Sequence, residues 1–158
     1  PAEYKPVSAE DLPVVFLPAG RAHLKVLLGA YEGEAAPIPT FAEEFIWHVR
    51  VEPMGSALVT LPAGLPVAGF LPTQTGIVSG TEVAAQRSFM LGEEGSQVEV
   101  TNPGDETFDV LLFGGAPIDE PVAMRGPFVM NSEAELTEAF REFRAGKYGQ
   151  IIYNHDTV

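Results

Sequence analysis

The side chains able to do chemistry are few. Three histidines, His23, His48 and His155, are the only imidazoles in a 158-residue chain that has no cysteine. They lie 25 and 107 residues apart, and no two form the short ligand spacing of a preformed metal motif. Glu43 and Glu44 precede His48 and suggest a carboxylate–imidazole pair for proton transfer. Neighbouring strand residues point to opposite faces, so at most one of the two can reach His48. A solvated edge is the simpler reading, because charged residues stay exposed unless paired. Ser132 invites a nucleophile reading, but with Glu135 three residues on it forms the S-x-x-E signature of a helix start. Gly114-Gly115 has neither the spacing of a dinucleotide fingerprint nor the lysine of a phosphate loop. The chain shows no self-contained catalytic motif.

Composition narrows the classes further. Twenty-two acidic residues against nine basic ones give a net charge of −13, which repels phosphate backbones and anionic lipid. Nucleic-acid and membrane partners are therefore not expected. No apolar run is long enough to span a bilayer, and Glu3 and Lys5 interrupt the N-terminus where a signal peptide would be hydrophobic. The absence of cysteine suits a reducing cytosol, so a cytoplasmic location is expected. An apolar fraction of 46% is enough to bury the core of one domain. Sixteen glycines and fourteen prolines, spread along the chain, predict many short strands and tight turns.

Those strands must position the candidates. Residues 1–13 read as a polar, proline-bounded arm. Val14–Leu17, His23–Leu28, Ser56–Leu61, Val67–Gln74, Ser88–Leu91, Gln97–Thr101 and Phe108–Phe113 read as strands, and 35–41 as a loop. Phe45, Trp47, Val49 and Val51 alternate with Ile46, His48 and Arg50, the period of a strand with one face in a core. Thr75-Gly76 and Ser79-Gly80 are turn signals. From Gly114 to Asn131, Pro117, Pro121 and Pro127 exclude helix and central strand, leaving an extended wrapping segment. A helix over 132–146 follows, with Leu136, Ala139, Phe140 and Phe143 on one stripe and Gly146 as its stop, and 147–158 form a tail.

The wrapping segment carries a resemblance. Gly115, Pro117, Ile118, Glu120, Pro121, Val122, Gly126, Pro127, Phe128, Val129, Met130 and Asn131 match, in order, a run found near the end of the pirins, a family of bicupins. The resemblance implies an all-β cupin fold, a double-stranded β-helix or jelly-roll barrel with one C-terminal α-helix, over 14–131 and 132–146. In it the signature positions Gly115, Pro117, Glu120, Pro121, Gly126, Pro127, Phe128, Met130 and Asn131 are structural. Pro1, Tyr4, Glu10 and Pro13 resemble the junction between the two pirin cupins, so the chain is expected to be the C-terminal half, with an N-terminal cupin half as its partner.

Pirins are known to hold iron in the N-terminal cupin. Some oxidise flavonols such as quercetin, and others act as regulatory protein partners. Cupin ligands would fall between Gly55 and Gly80 and again between Gln97 and Phe113. The first stretch contains no ionisable residue, and the second no histidine. The resemblance thus implies that Fe(II), or another divalent metal, belongs to the other half, and that no catalytic or metal-binding residue lies here. The interior is expected to be lined from this stretch by Leu58, Leu61, Val67 and Phe70. Two alternatives remain: a protein-binding module using the 35–41 loop and the wrapping segment, or a small apolar ligand held by Trp47, His48, Phe70 and Met90.

Overall fold

The computed structural model describes residues 6–18, 21–92 and 95–149. The expectations for Pro1, Tyr4 and His155 and for the tail beyond Gly149 lie outside these residues. A 3-10 turn at Ala9–Asp11 precedes β1 (Val14–Phe16), β2 (Ala22–Leu28), β3 (Ala30–Tyr31), β4 (Glu34–Ala35), β5 (Glu44–Val51) and β6 (Ser56–Thr60). Then come β7 (Val67–Leu71), β8 (Gly76–Val78), β9 (Thr81–Val83), β10 (Arg87–Met90), β11 (Gln97–Thr101) and β12 (Phe108–Gly115). The chain forms two compact units, Pro1–Pro117 and Ile118–Val158.

In the first unit a six-stranded sheet, ordered β1-β2-β5-β12-β7-β10, and a four-stranded sheet, ordered β6-β11-β8-β9, are antiparallel throughout. One apolar cluster joins their inward residues: Leu24, Val26, Trp47, Val49, Val110 and Leu112 from the larger sheet, Ala57, Val59, Val78, Val98 and Val100 from the smaller. Each such large side chain removed from water contributes roughly 1.5–3 kcal/mol.

The inward side of β6 and β7 differs from the expected one. Ala57 and Val59 face the core while Leu58 is 45% exposed, and Val67, Gly69 and Leu71 are buried while Phe70 lies on the opposite face. On β7 both faces are apolar, so alternation does not say which one is inside, whereas β6 sets Ser56 and Thr60 on the Leu58 face and its pattern does mark Ala57 and Val59 as the inner pair. Glycine at 69 makes room for a ring: a Cβ there would sit 2.2 Å from Phe89 Cζ. Gly76 likewise yields to Phe108, at 2.6 Å. The turn at Ser79-Gly80 is where the sequence puts it, with φ of 45° and 80° in the left-handed pair that a two-residue hairpin requires. The strands it joins, β8 and β9, were not foreseen. Three residues are too few to show a period.

In the second unit the wrapping segment contains β13 (Ala123–Arg125) and β14 (Phe128–Met130), a hairpin packed on α1 (Glu133–Arg144). Gly126, with φ of 59°, and Pro127 make its turn, where a missing amide costs no ladder bond. This segment groups with the helix rather than the barrel. Phe128 meets Phe140 and Phe143 edge-on, with ring centroids 5.0 and 5.9 Å away. Leu136 and Ala139 are fully buried, while Phe143, last of the predicted stripe, is 59% exposed. Ser132 Oγ accepts the Glu135 amide at 3.3 Å, and the Glu135 carboxylate accepts from Asn131 N rather than from the cap's own amide. Gly146, φ 74°, closes the helix, with its amide donating to Phe143 O and Lys147 N to Glu142 O. Ser132→Ala is expected to cost about 1 kcal/mol, read as faster hydrogen exchange of the first-turn amides.

Candidate functional site

The most unusual surface is the outer face of the six-stranded sheet. Direct partners across antiparallel strands share a face, and the register sorts its residues into rows. One row is Phe16, His23, Arg50 and Asp109; the next is Val14, Lys25, His48, Leu111, Phe70 and Ser88; the third is Leu28, Ile46, Phe113, Ala68 and Met90. The third row is apolar throughout, and much of the face lies open: Phe16 is 82% exposed, Met90 71%, and Val14, Ile46 and Phe113 each about 40%. Isolated exposed apolar residues are ordinary, but a continuous patch marks an interface.

A polar corner adjoins it. His48 Nε2 and Arg50 Nε both meet Asp109 Oδ1, at 2.8 and 3.1 Å, so Asp109 is the carboxylate partner of His48. Glu43 and Glu44, which precede it in sequence, are both exposed. Asp109 was missed because it lies 61 residues from His48, and only the pairing of β5 with β12 brings them together. His23 stands beside this pair with its ring 6.1 Å from Phe16. Partial burial lowers its pKa below the usual value, helped by Arg50, His48 and Lys25 and opposed by Asp109. Lys25 Nζ donates to Ala9 O at 3.3 Å.

The interior is aromatic. Trp47 is buried, stacked on Phe45 at 4.0 Å and edge-on to Tyr31 at 4.9 Å, and its Nε1–H finds no acceptor among the described residues. Burial raises the Tyr31 pKa. The four residues expected to line a ligand pocket do not converge: Trp47 points inward, whereas His48, Phe70 and Met90 share the outer face. Alternation along β5 and β7 separates them.

Among the described residues no three of His, Cys, Asp and Glu come together as a metal ion would need. Iron of the kind cupins hold takes several convergent imidazole and carboxylate donors. His48, Asp109 and Arg50 instead form an ion-pair group in which a guanidinium holds the carboxylate. The described side chains do not fit an iron centre.

The signature residues fall in both units, Gly115 and Pro117 in the first and the rest in the second. Gly115 ends β12 opposite Glu44, and Pro117 lines a shallow hollow with Gly64, Leu65 and Pro66. Asn131 Nδ2 donates to Glu120 Oε2 at 2.8 Å and to Pro121 O at 3.0 Å, closing the segment on itself. Met130 pairs with Ala123. An open groove of about 490 Å³ is lined by Arg125, Thr137, Phe140, Arg141 and Arg144, but Arg125 and Arg141 face Glu133 and Glu138.

Two antiparallel sheets sharing one core, with a terminal helix, define a cupin barrel. The family model of the pirin C-terminal cupin domain matches residues 46–149, and the chain belongs to that family. A Pseudomonas aeruginosa protein named provisionally as a quercetin 2,3-dioxygenase is 28% identical over 94% of this chain and 51% of its own length. Human pirin is 27% identical over 93% of this chain and 51% of its own. The crystal structure of a quercetin 2,3-dioxygenase from Acinetobacter baumannii superposes with a TM-score of 0.82 at 27% identity, covering 95% of this chain and 52% of that one. The chain spans about half the length of these relatives, in which its domain is the C-terminal half. No helix among the described residues is long and apolar enough to cross a membrane.

Proposed function

We propose that this chain is the non-catalytic C-terminal half of a pirin-type bicupin, and that it docks through the outer face of its six-stranded sheet on an N-terminal cupin half. The open apolar row Ile46, Phe113, Ala68 and Met90 carries this reading, since such a surface gains by burial against a partner. The Fe(II) or other divalent metal, and the quercetin 2,3-dioxygenase-like activity named for its relatives, belong to that other half. A donor set in which Asp109 is already held by Arg50 and His48 supports the division. The role here is to cover and position the metal-bearing half. The same face favours a second reading, a regulatory module for another protein. The location is cytoplasmic on this reading, as suits a chain without thiols.

The isolated 158-residue chain, loaded with Fe(II) under anaerobic conditions and desalted, is expected to carry far less than one equivalent of metal, because a surface without convergent ligands does not hold the ion through desalting. It is also expected to leave quercetin unchanged. One equivalent of bound iron, or turnover by the chain alone, refutes the division of labour.

A further inference from the structure

We infer that the partner surface carries carboxylates facing the corner formed by His23 and Arg50, so that docking takes up protons in the neutral pH range. The inference rests on the docking role proposed above and names the chemistry of the surface that fits. This corner reverses the sign of the molecule. On a chain of net charge −13, Arg50 and two imidazoles gather here around the single carboxylate of Asp109, while Lys25 turns to the Ala9 carbonyl, beside Glu10 and Asp11. Asp109 meets His48 Nε2 and Arg50 Nε through one oxygen, Oδ1. Arg50 is half exposed, and its terminal nitrogens have no acceptor among the described residues. Phe16, 82% exposed, stands against His23 and offers an anchor at the same place.

A surface closing over this corner must meet its cations or leave them unpaired out of water, and opposite charge opposite charge is what fixes orientation and partner at interfaces. The groups facing His23 are Phe16 on β1, Lys25 on β2, Arg50 and His48 on β5 and Asp109 on β12. All but Asp109 and the neutral Phe16 disfavour its protonated form in the free chain. A partner carboxylate reverses that balance. Burial is the largest cause that lowers the His23 pKa, and docking takes more water from the ring, so the partner carboxylate must lie close enough to outweigh both. The pKa is then higher docked than free, and the added affinity is fully present below the free pKa and lost as pH rises through the docked one. Carboxylates of the partner titrate near pH 4, below this window.

The test uses this chain and the N-terminal half of the Pseudomonas aeruginosa relative, with the dissociation constant measured by calorimetry from pH 8 to pH 5.5. Association is expected to tighten roughly tenfold, the factor that one pK unit carries. The His23→Gln, His48→Gln double variant is expected to flatten the profile, and Arg50→Gln to weaken binding and its salt dependence. Association that is independent of pH, or tighter at pH 8, overturns the carboxylate inference while leaving docking intact. Association that is absent, or indifferent to Phe113→Asp and Met90→Asp, overturns the docking reading and this inference with it.

Discussion

Phe113→Asp is expected to weaken docking of this chain on an N-terminal pirin cupin at least about 100-fold while the chain stays folded. Phe113 sits on β12 between β5 and β7, at the middle of the open face, with Ile46 and Ala68 on either side. Covering the exposed two-fifths of Phe113 contributes roughly 0.6–1.2 kcal/mol, and an aspartate there adds the larger penalty of an unpaired charge out of water. The sum exceeds the ~2.7 kcal/mol that corresponds to a hundredfold. Because Phe113 is 39% exposed in the chain itself, part of its surface already packs on neighbours, so a second variant separates docking from folding. Met90→Asp alters a side chain 71% exposed on the edge strand β10, where the fold has least to lose. Calorimetry between the halves and thermal unfolding of each variant read the two effects. Unimpaired docking by both variants would show that the partner sits elsewhere.

Asn102→Asp is expected to destabilise the first unit by about 3 kcal/mol or more at neutral pH, lowering its melting temperature by roughly 10 °C. Asn102 is the one buried polar side chain among the described residues, 1% exposed after β11. The two hydrogens of its Nδ2 serve three carbonyls, Val51 O and Glu52 O at 3.1 Å and Glu106 O at 2.8 Å, so two of these share one hydrogen, while Oδ1 accepts from Gly104 N at 3.0 Å. One amide thus ties the end of β5 to the turn before β12. A carboxylate has no hydrogen to give and turns its charge on those three oxygens. Asn102→Ala leaves the same carbonyls unbonded without the added repulsion, so it is expected to cost less than the aspartate. The aspartate's excess cost is expected to shrink as pH falls and the buried carboxyl takes up a proton. An aspartate variant as stable as the alanine one would show that the site opens to water.

Much of the architecture was written locally. β5 alternates over enough residues to show its period, β11 runs from Gln97 to Thr101 as the pattern predicts, and the helix carries its cap, stripe and glycine stop between Ser132 and Gly146. The motif from Gly115 to Asn131 identified the family for a similar reason: Asn131 bonds to Glu120 and Pro121, ten or eleven residues away, so the constraint lies within one stretch of chain. The hairpin of β13 and β14 was hidden because proline reads as a barrier until it is found in the turn.

What only the tertiary structure decided is which face is which. A strand apolar on both sides, such as β7, carries no local mark of inside and outside; packing made Val67, Gly69 and Leu71 interior and left Phe70 facing outward. The pairing of His48 with Asp109, and the gathering of His23 and Arg50 beside an open hydrophobic row, depend on strand register across the sheet. Period and capping act over a few residues, so the sequence states them outright. Register is settled by contacts dozens of residues apart, and so it emerges only when the core closes.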